Sequence, residues 1–170
     1  MSLRTVHRSS PFGAPRLLAA APLLFAVPLF AEAPDVRARL IAPASASAGG
    51  RATLVVEMTL GPNWHVNGHV PAEKFLIPTV VKLTPTAGTA GEVRYPEPVE
   101  KRFPFSDKPM LVYEGTVRFE SDLSIPSDAS GKVAVAGSVA FQACNDRQCF
   151  PPAKIPLESS ISITAAAPGR

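Results

Sequence analysis

The spacing of apolar and polar positions changes character near residue 33. Before it, an apolar run from Leu17 to Phe30 follows a basic leader holding Arg4, His7, Arg8 and Arg16. After it, apolar residues come in short stretches cut by Gly and Pro, which is how strands and turns read. Val36 to Ile41 alternates weakly with charged residues, and Ala42 to Gly50 is a small-residue turn. Thr53 to Leu60 is β-rich and stops at Gly61-Pro62-Asn63; Thr79 to Leu83 lies between Pro78 and Pro85; Glu92 to Tyr95 is a short strand closed by Pro96 and Pro98. Met110 to Phe119 alternates, with Gly115 as a bulge. Lys132 to Phe141 is a long strand broken at Gly137, and Lys154 to Leu157 and Ser160 to Thr164 finish the chain. Outside the leader no stretch has the 3.6-residue period of a helix, and 19 prolines argue against long helices. Seven to nine short strands with regular turn signals predict an all-β antiparallel fold. The pattern favours a sandwich and leaves a barrel open.

The first segment reads as an export signal. Its apolar core is shorter than the ~20 residues a spanning helix needs, and it ends at Ala31-Glu32-Ala33, a small-x-small cleavage pattern. The expected domains are a signal peptide over residues 1–33, cut between Ala31 and Ala33, and one domain over 34–170; an uncleaved anchor is the alternative. Removing the leader takes away Arg4, Arg8, Arg16 and Glu32, so the formal charge falls from +3 to +1. A nearly neutral surface offers no steering for nucleic acid or anionic lipid. The chain has no phosphate-cradling glycine loop, Ser-His-Asp ordering or paired-carboxylate pattern, which sets aside nucleotide-binding and hydrolytic classes.

The chemistry-bearing residues are two cysteines, in Gln142-Ala143-Cys144-Asn145-Asp146-Arg147-Gln148-Cys149-Phe150-Pro151-Pro152. In an exported protein they are expected to pair, and two cysteines allow one connectivity. So short a loop gains only about 2 kcal/mol from chain entropy, little for a staple. The polar run between the cysteines places the bridge at an exposed edge. Three readings follow: a reversible dithiol/disulfide, a passive clip, or a metal site that adds His65 and His69 to the two sulfurs. The metal reading lacks the close C-x-x-C spacing, and His65 to His69 reads as an exposed loop. No metal and no cofactor are expected, because electrons in the first reading travel on sulfur.

Phe141-Gln142-Ala143-Cys144 through Cys149-Phe150-Pro151-Pro152 resembles the active-site stretch of the N-terminal periplasmic domain of DsbD, a thiol:disulfide interchange protein. Gly61-Pro62-Asn63-Trp64-His65-Val66-Asn67, Ile77-Pro78-Thr79, Tyr95-Pro96-Glu97-Pro98 and Val112-Tyr113-Glu114-Gly115 match that family in order and spacing. The resemblance implies an immunoglobulin-like sandwich in the periplasm, acting as a thiol-disulfide oxidoreductase component. Its cysteine pair would take electrons from a thioredoxin-like domain fed by a membrane carrier. It would pass them to periplasmic thioredoxin-fold proteins such as disulfide isomerases or cytochrome c maturation factors. By position, Cys149 matches the cysteine that forms mixed disulfides, and Cys144 the resolving one. The family's cap loop falls on Glu100 to Asp107, with Phe103 or Phe105 as the covering aromatic. Asp146, Arg147, Glu100 and Asp107 are the candidates for tuning the thiol pKa. Neither the membrane-spanning part nor the thioredoxin-like domain of that family is in this sequence, so a stand-alone monomer that meets its donor in trans is expected. The C-x4-C loop is one residue shorter than in well-known members, and the cap segment does not copy their acidic-aromatic lid. The rival reading is a non-catalytic secreted immunoglobulin-like binding module with a structural disulfide.

Overall fold

The computed structural model describes residues 33–166; the expected export signal, apart from Ala33, lies outside the described residues. The strands in chain order are β1 Val36–Ile41, β2 Ser45–Ser47, β3 Arg51–Leu60, β4 His65–Asn67, β5 Val80–Pro85, β6 Thr89–Ala90, β7 Val99–Lys101, β8 Met110–Glu114, β9 Thr116–Ser124, β10 Gly131–Phe141, β11 Ala143–Cys144 and β12 Ala153–Thr164. No helix is found among the described residues. The strands form three sheets, ordered β1-β3-β9-β6, β2-β12-β10-β5 and β11-β4-β8-β7. Every pairing is antiparallel except that of β2 with β12.

The first two sheets enclose the core of an immunoglobulin-like sandwich. Alternation along each strand sends one set of side chains inward: Leu54, Val56 and Met58 from β3, Phe119 and Leu123 from β9, Val133, Val135 and Val139 from β10, and Leu157 and Ile161 from β12. Burying each such side chain contributes about 1.5–3 kcal/mol. On β3, Glu57 is clasped by Arg39 (Nη2–Oε1 2.7 Å) and Arg118 (Nη2–Oε2 2.8 Å). Hydrogen bonds from Arg118 and then Arg39 hold its carboxyl below the usual range.

Several elements depart from the sequence reading. Gly137 does not break β10, which runs unbroken past it, paired with both β12 and β5. A Cβ at Gly137 would lie 2.6 Å from the Lys82 carbonyl oxygen, so the missing side chain is what lets β5 approach. The two C-terminal strands are one, β12. Its Pro156 sits opposite Ser138, where β12 has no second neighbour, because β2 joins it only at Ser162–Thr164. A proline on such a free edge forfeits no ladder bond. The small-residue turn contains β2, and residues 92–95 make only a bridge, Arg94 with Glu120.

The stretch from Met110 to Phe119 is two strands that part at Gly115, whose φ of 63° suits glycine. There the β3/β9 ribbon bends, and Leu60 N–H donates to the Gly115 carbonyl at 2.8 Å. Past the bend the same two chain segments continue as the β4/β8 ribbon, to which β11 and β7 add at either side. The third sheet is thus an extension of the first, and both cysteines lie at its edge.

Candidate functional site

The cysteine loop is a tight hairpin. Cys144 and Cys149 are disulfide-bonded, with Cα atoms 4.0 Å apart, and they form an antiparallel bridge. Asn145 organises the turn. Its Oδ1 accepts from the N–H groups of Arg147 and Gln148, both at 3.0 Å, and its own N–H donates to the Gln148 carbonyl. That is an Asx turn, which short polar side chains favour. The return strand is fixed by Phe150 N–H donating to the Ala143 carbonyl at 2.8 Å, and by the Phe150 ring set edge-on to buried Trp64, 5.2 Å between centroids. The tryptophan of the Gly61–Asn67 motif therefore anchors the chain just beyond the second cysteine.

The two halves of the bridge see different surroundings. Cys144 is fully buried, whereas Cys149 is exposed. The expectation of an exposed bridge therefore holds for one cysteine and fails for the other. Cys144 is sealed because β11 lies against β4, and its face of the sheet is covered.

Register shows what shares that face. Cys144 is the cross-strand partner of His65, and His65 that of Glu114; directly opposed residues project to one side. By the same alternation Val112, Met110 and Lys101 lie on this face. Ala143, Val66 and Tyr113 point the other way and join the main core. The cap segment after β7 folds over the Cys144 face. Phe103 is buried and stacks on the His65 ring at 4.0 Å and 18°, and Phe105 stacks on Phe103 at 5.3 Å. Phe103, Met110, Val112 and partly buried Leu76 form a small apolar cluster of their own. Lys101 pairs with Glu114 and sits 5.4 Å over the Phe103 ring. Phe105 is 43% exposed and borders a cleft of ≈ 330 Å³ with Phe75, Leu76, Met110, Gln142 and Cys149.

His65 is neither in a loop nor exposed: it lies on β4 and is 1% exposed. Neither ring nitrogen has a hydrogen-bond partner. Burial depresses its pKa to about 4, with Glu114 and Asp146 opposing and Lys101 reinforcing. His69 is half-buried and faces elsewhere, stacked on Tyr95 at 3.6 Å with Nδ1 3.0 Å from the Thr79 carbonyl. With the sulfurs bonded to each other, His65 under Phe103 and His69 on Tyr95, the four ligands of the metal reading do not converge. Among the described residues no three His, Cys, Asp or Glu side chains are grouped to hold a metal.

The pKa-tuning candidates are scattered. Asp146 and Arg147 are exposed on the hairpin. Glu100 opposes Leu111 on β8, which places it on the sheet face away from Cys144. Asp107 is exposed in the cap segment. The charges that share the sheet face of Cys144 and act on His65 include Glu114 on β8 and Lys101 on β7, which the sequence reading passed over. Their only sequence signal was proximity to the cap and to the Tyr113-Glu114-Gly115 motif.

A profile described as "Thiol:disulfide interchange protein DsbD, N-terminal" matches residues 37–157. The chain belongs to the DsbD N-terminal family. No curated protein matches it. Among solved structures, the N-terminal periplasmic domain of ScsB from Proteus mirabilis superposes with a TM-score of 0.50 at 17% identity, over 72% of this chain and 44% of that one. This chain thus spans less than half the length of that structure, and the likeness speaks for the fold. The Neisseria meningitidis DsbD N-terminal domain, in its reduced form, gives 0.45 at 16% identity, over 70% of this chain and 82% of that one. As a DsbD N-terminal domain, the chain carries its cysteine pair at bonding distance, which supports a thiol-disulfide exchange role.

Proposed function

We propose that this chain is an extracytoplasmic exchange module, placed in the periplasm by a cleaved signal peptide, that relays reducing equivalents through Cys144 and Cys149. The observation that carries the reading is the asymmetry of the bond, one cysteine exposed and the other sealed. A thiolate must approach a sulfur directly, so an incoming donor reaches Cys149. Attack forms a bond from the donor sulfur to Sγ of Cys149, and Sγ of Cys144 leaves with the electron pair. The donor's second thiol then attacks the donor's own sulfur in the mixed disulfide. This frees Cys149 and leaves the chain as a dithiol. Outbound, the Cys149 thiolate attacks an acceptor disulfide. Cys144 next attacks Sγ of Cys149, releasing the acceptor as a dithiol and restoring the bridge. Two electrons and two protons pass in each cycle.

The donor is a thioredoxin-like domain linked to a membrane carrier, and the acceptors are periplasmic thioredoxin-fold proteins. Phe103 and Phe105 act as the cover: Phe103 seals the Cys144 face, and Phe105 borders the cleft through which a partner reaches Cys149. Trapping tests the assignment. Cys144→Ser protein, incubated with an extracytoplasmic extract, should accumulate mixed disulfides through Cys149, and Cys149→Ser should accumulate far fewer. Equal and negligible trapping by both, together with a reduction potential well below about −300 mV, would mark the bond as a passive clip.

A further inference from the structure

The exchange steps above leave one buried titratable group without a task. His65 is the cross-strand neighbour of Cys144; both are buried, and Phe103 stacks on the His65 ring. Directly opposed residues have Cβ atoms about 5 Å apart, within reach of an imidazole and a sulfur. Both ring nitrogens lack partners, an arrangement that costs stability and that buried histidines ordinarily avoid. While the sulfurs are bonded to each other, Cys144 has no proton to share. Once the bond opens, a thiol or thiolate is left in a site closed to water, and its proton must come from or go to a neighbour.

We propose that His65 is the proton partner of Cys144, accepting the thiol proton when Cys144 attacks and donating a hydrogen bond to its sulfur when it leaves. The inference rests on the exchange reading and adds the proton path. In the resolving step a ring nitrogen takes the proton from Cys144 S–H. The thiolate forms a bond to Sγ of Cys149, the bond from Cys149 to the acceptor breaks, and the acceptor sulfur leaves as a thiolate. The imidazolium then returns its proton to that thiolate or to solvent. The charged groups facing His65 are Glu114 on β8, Lys101 on β7 and Asp146 on the hairpin, with Cys144 itself on β11; the cap presents the Phe103 ring. Burial keeps the imidazole neutral in the bonded form, with a lone pair free. A thiolate one strand away supplies the negative charge that restores its basicity.

The test titrates the Cys144 thiolate by its ultraviolet absorbance in Cys149→Ser protein, with His65 intact and with His65→Phe. Phenylalanine keeps the stack on Phe103 and removes both nitrogens. At any given pH the ratio of thiolate to thiol should be about tenfold higher or more with His65 intact, a midpoint at least one pH unit lower. As a measure independent of any His65 variant, the ring nitrogens of His65 in the wild-type chain should change protonation or tautomer between oxidised and reduced forms by NMR. Coincident titrations, or ring signals unchanged on reduction, overturn the proton role while Cys144→Ser trapping leaves the exchange reading standing. Absence of that trapping removes both.

Discussion

Replacing His65 with phenylalanine should flatten the acid limb of the oxidised protein's stability. Folding lowers this group's pKa from the ordinary 6.5 to about 4, chiefly through burial. Between those values the unfolded chain holds a proton that the folded chain does not, so stability falls as pH falls through 6.5 and levels off near 4. At ~1.4 kcal/mol per pH unit the loss amounts to about 3 kcal/mol. The carboxylates of Glu57 and Asp122, held low by their arginine partners, also lose their contribution on acidification. That loss is common to both proteins and cancels in the difference between them. At neutral pH the variant should be at least as stable as the parent, because an unpartnered buried polar atom costs on the order of 1–3 kcal/mol. Urea unfolding of the oxidised proteins at neutral pH and near pH 4 measures both quantities. Parallel losses of stability in parent and variant would show that His65 is not a neutral, buried histidine, and the reasoning about its surroundings would fall.

Other outcomes follow from the same geometry. Phe103→Ala should cost about 3 kcal/mol and speed reduction of the bridge by a small thiol, because it uncovers the Cys144 face; Phe105→Ala, already 43% exposed, should cost under about 1 kcal/mol. Unfolding curves with reduction kinetics separate the two. Gly137→Ala should destabilise by about 1–3 kcal/mol, since the added methyl meets the Lys82 carbonyl oxygen at 2.6 Å, and a Tm unchanged from the parent would contradict the close approach of β5. Asn145→Ala removes the acceptor that closes the hairpin. With ~1 kcal/mol of turn stability gone, the glutathione equilibrium should shift about fivefold toward the dithiol.

Strands with period-two alternation and a buried face were legible. β1, β3 and β10 appear close to where the pattern put them, and the sandwich follows from their number and spacing. β4 was hidden because His65, Val66 and Asn67 are all buried, one face against the core and one under the cap, so no alternation marks them. Glu158 and Ser159 made one strand look like two, because two polar residues in a row break the alternation, yet both stay in the ladder, opposite Ala136 and Val135 of β10. Within the site, the cysteines stood out by residue type, and the two phenylalanines through the family resemblance. The ion pair of Lys101 with Glu114, and the seating of His65 beside Cys144, arise from pairing across strands distant in sequence, which no local spacing encodes.

The bend at Gly115 has a mechanical consequence. β3 and β9 run on as β4 and β8, so the reactive tip is held out like a beam rooted in the sandwich. Ala143, Val66 and Tyr113, on its inner side, are mortared into the main core with Phe150 packed against it, while the side bearing Cys144 has its own small apolar roof. Breaking and remaking the sulfur bond can then rearrange the roof without loosening the root. Durability and reactivity are insulated from each other along a single pair of strands.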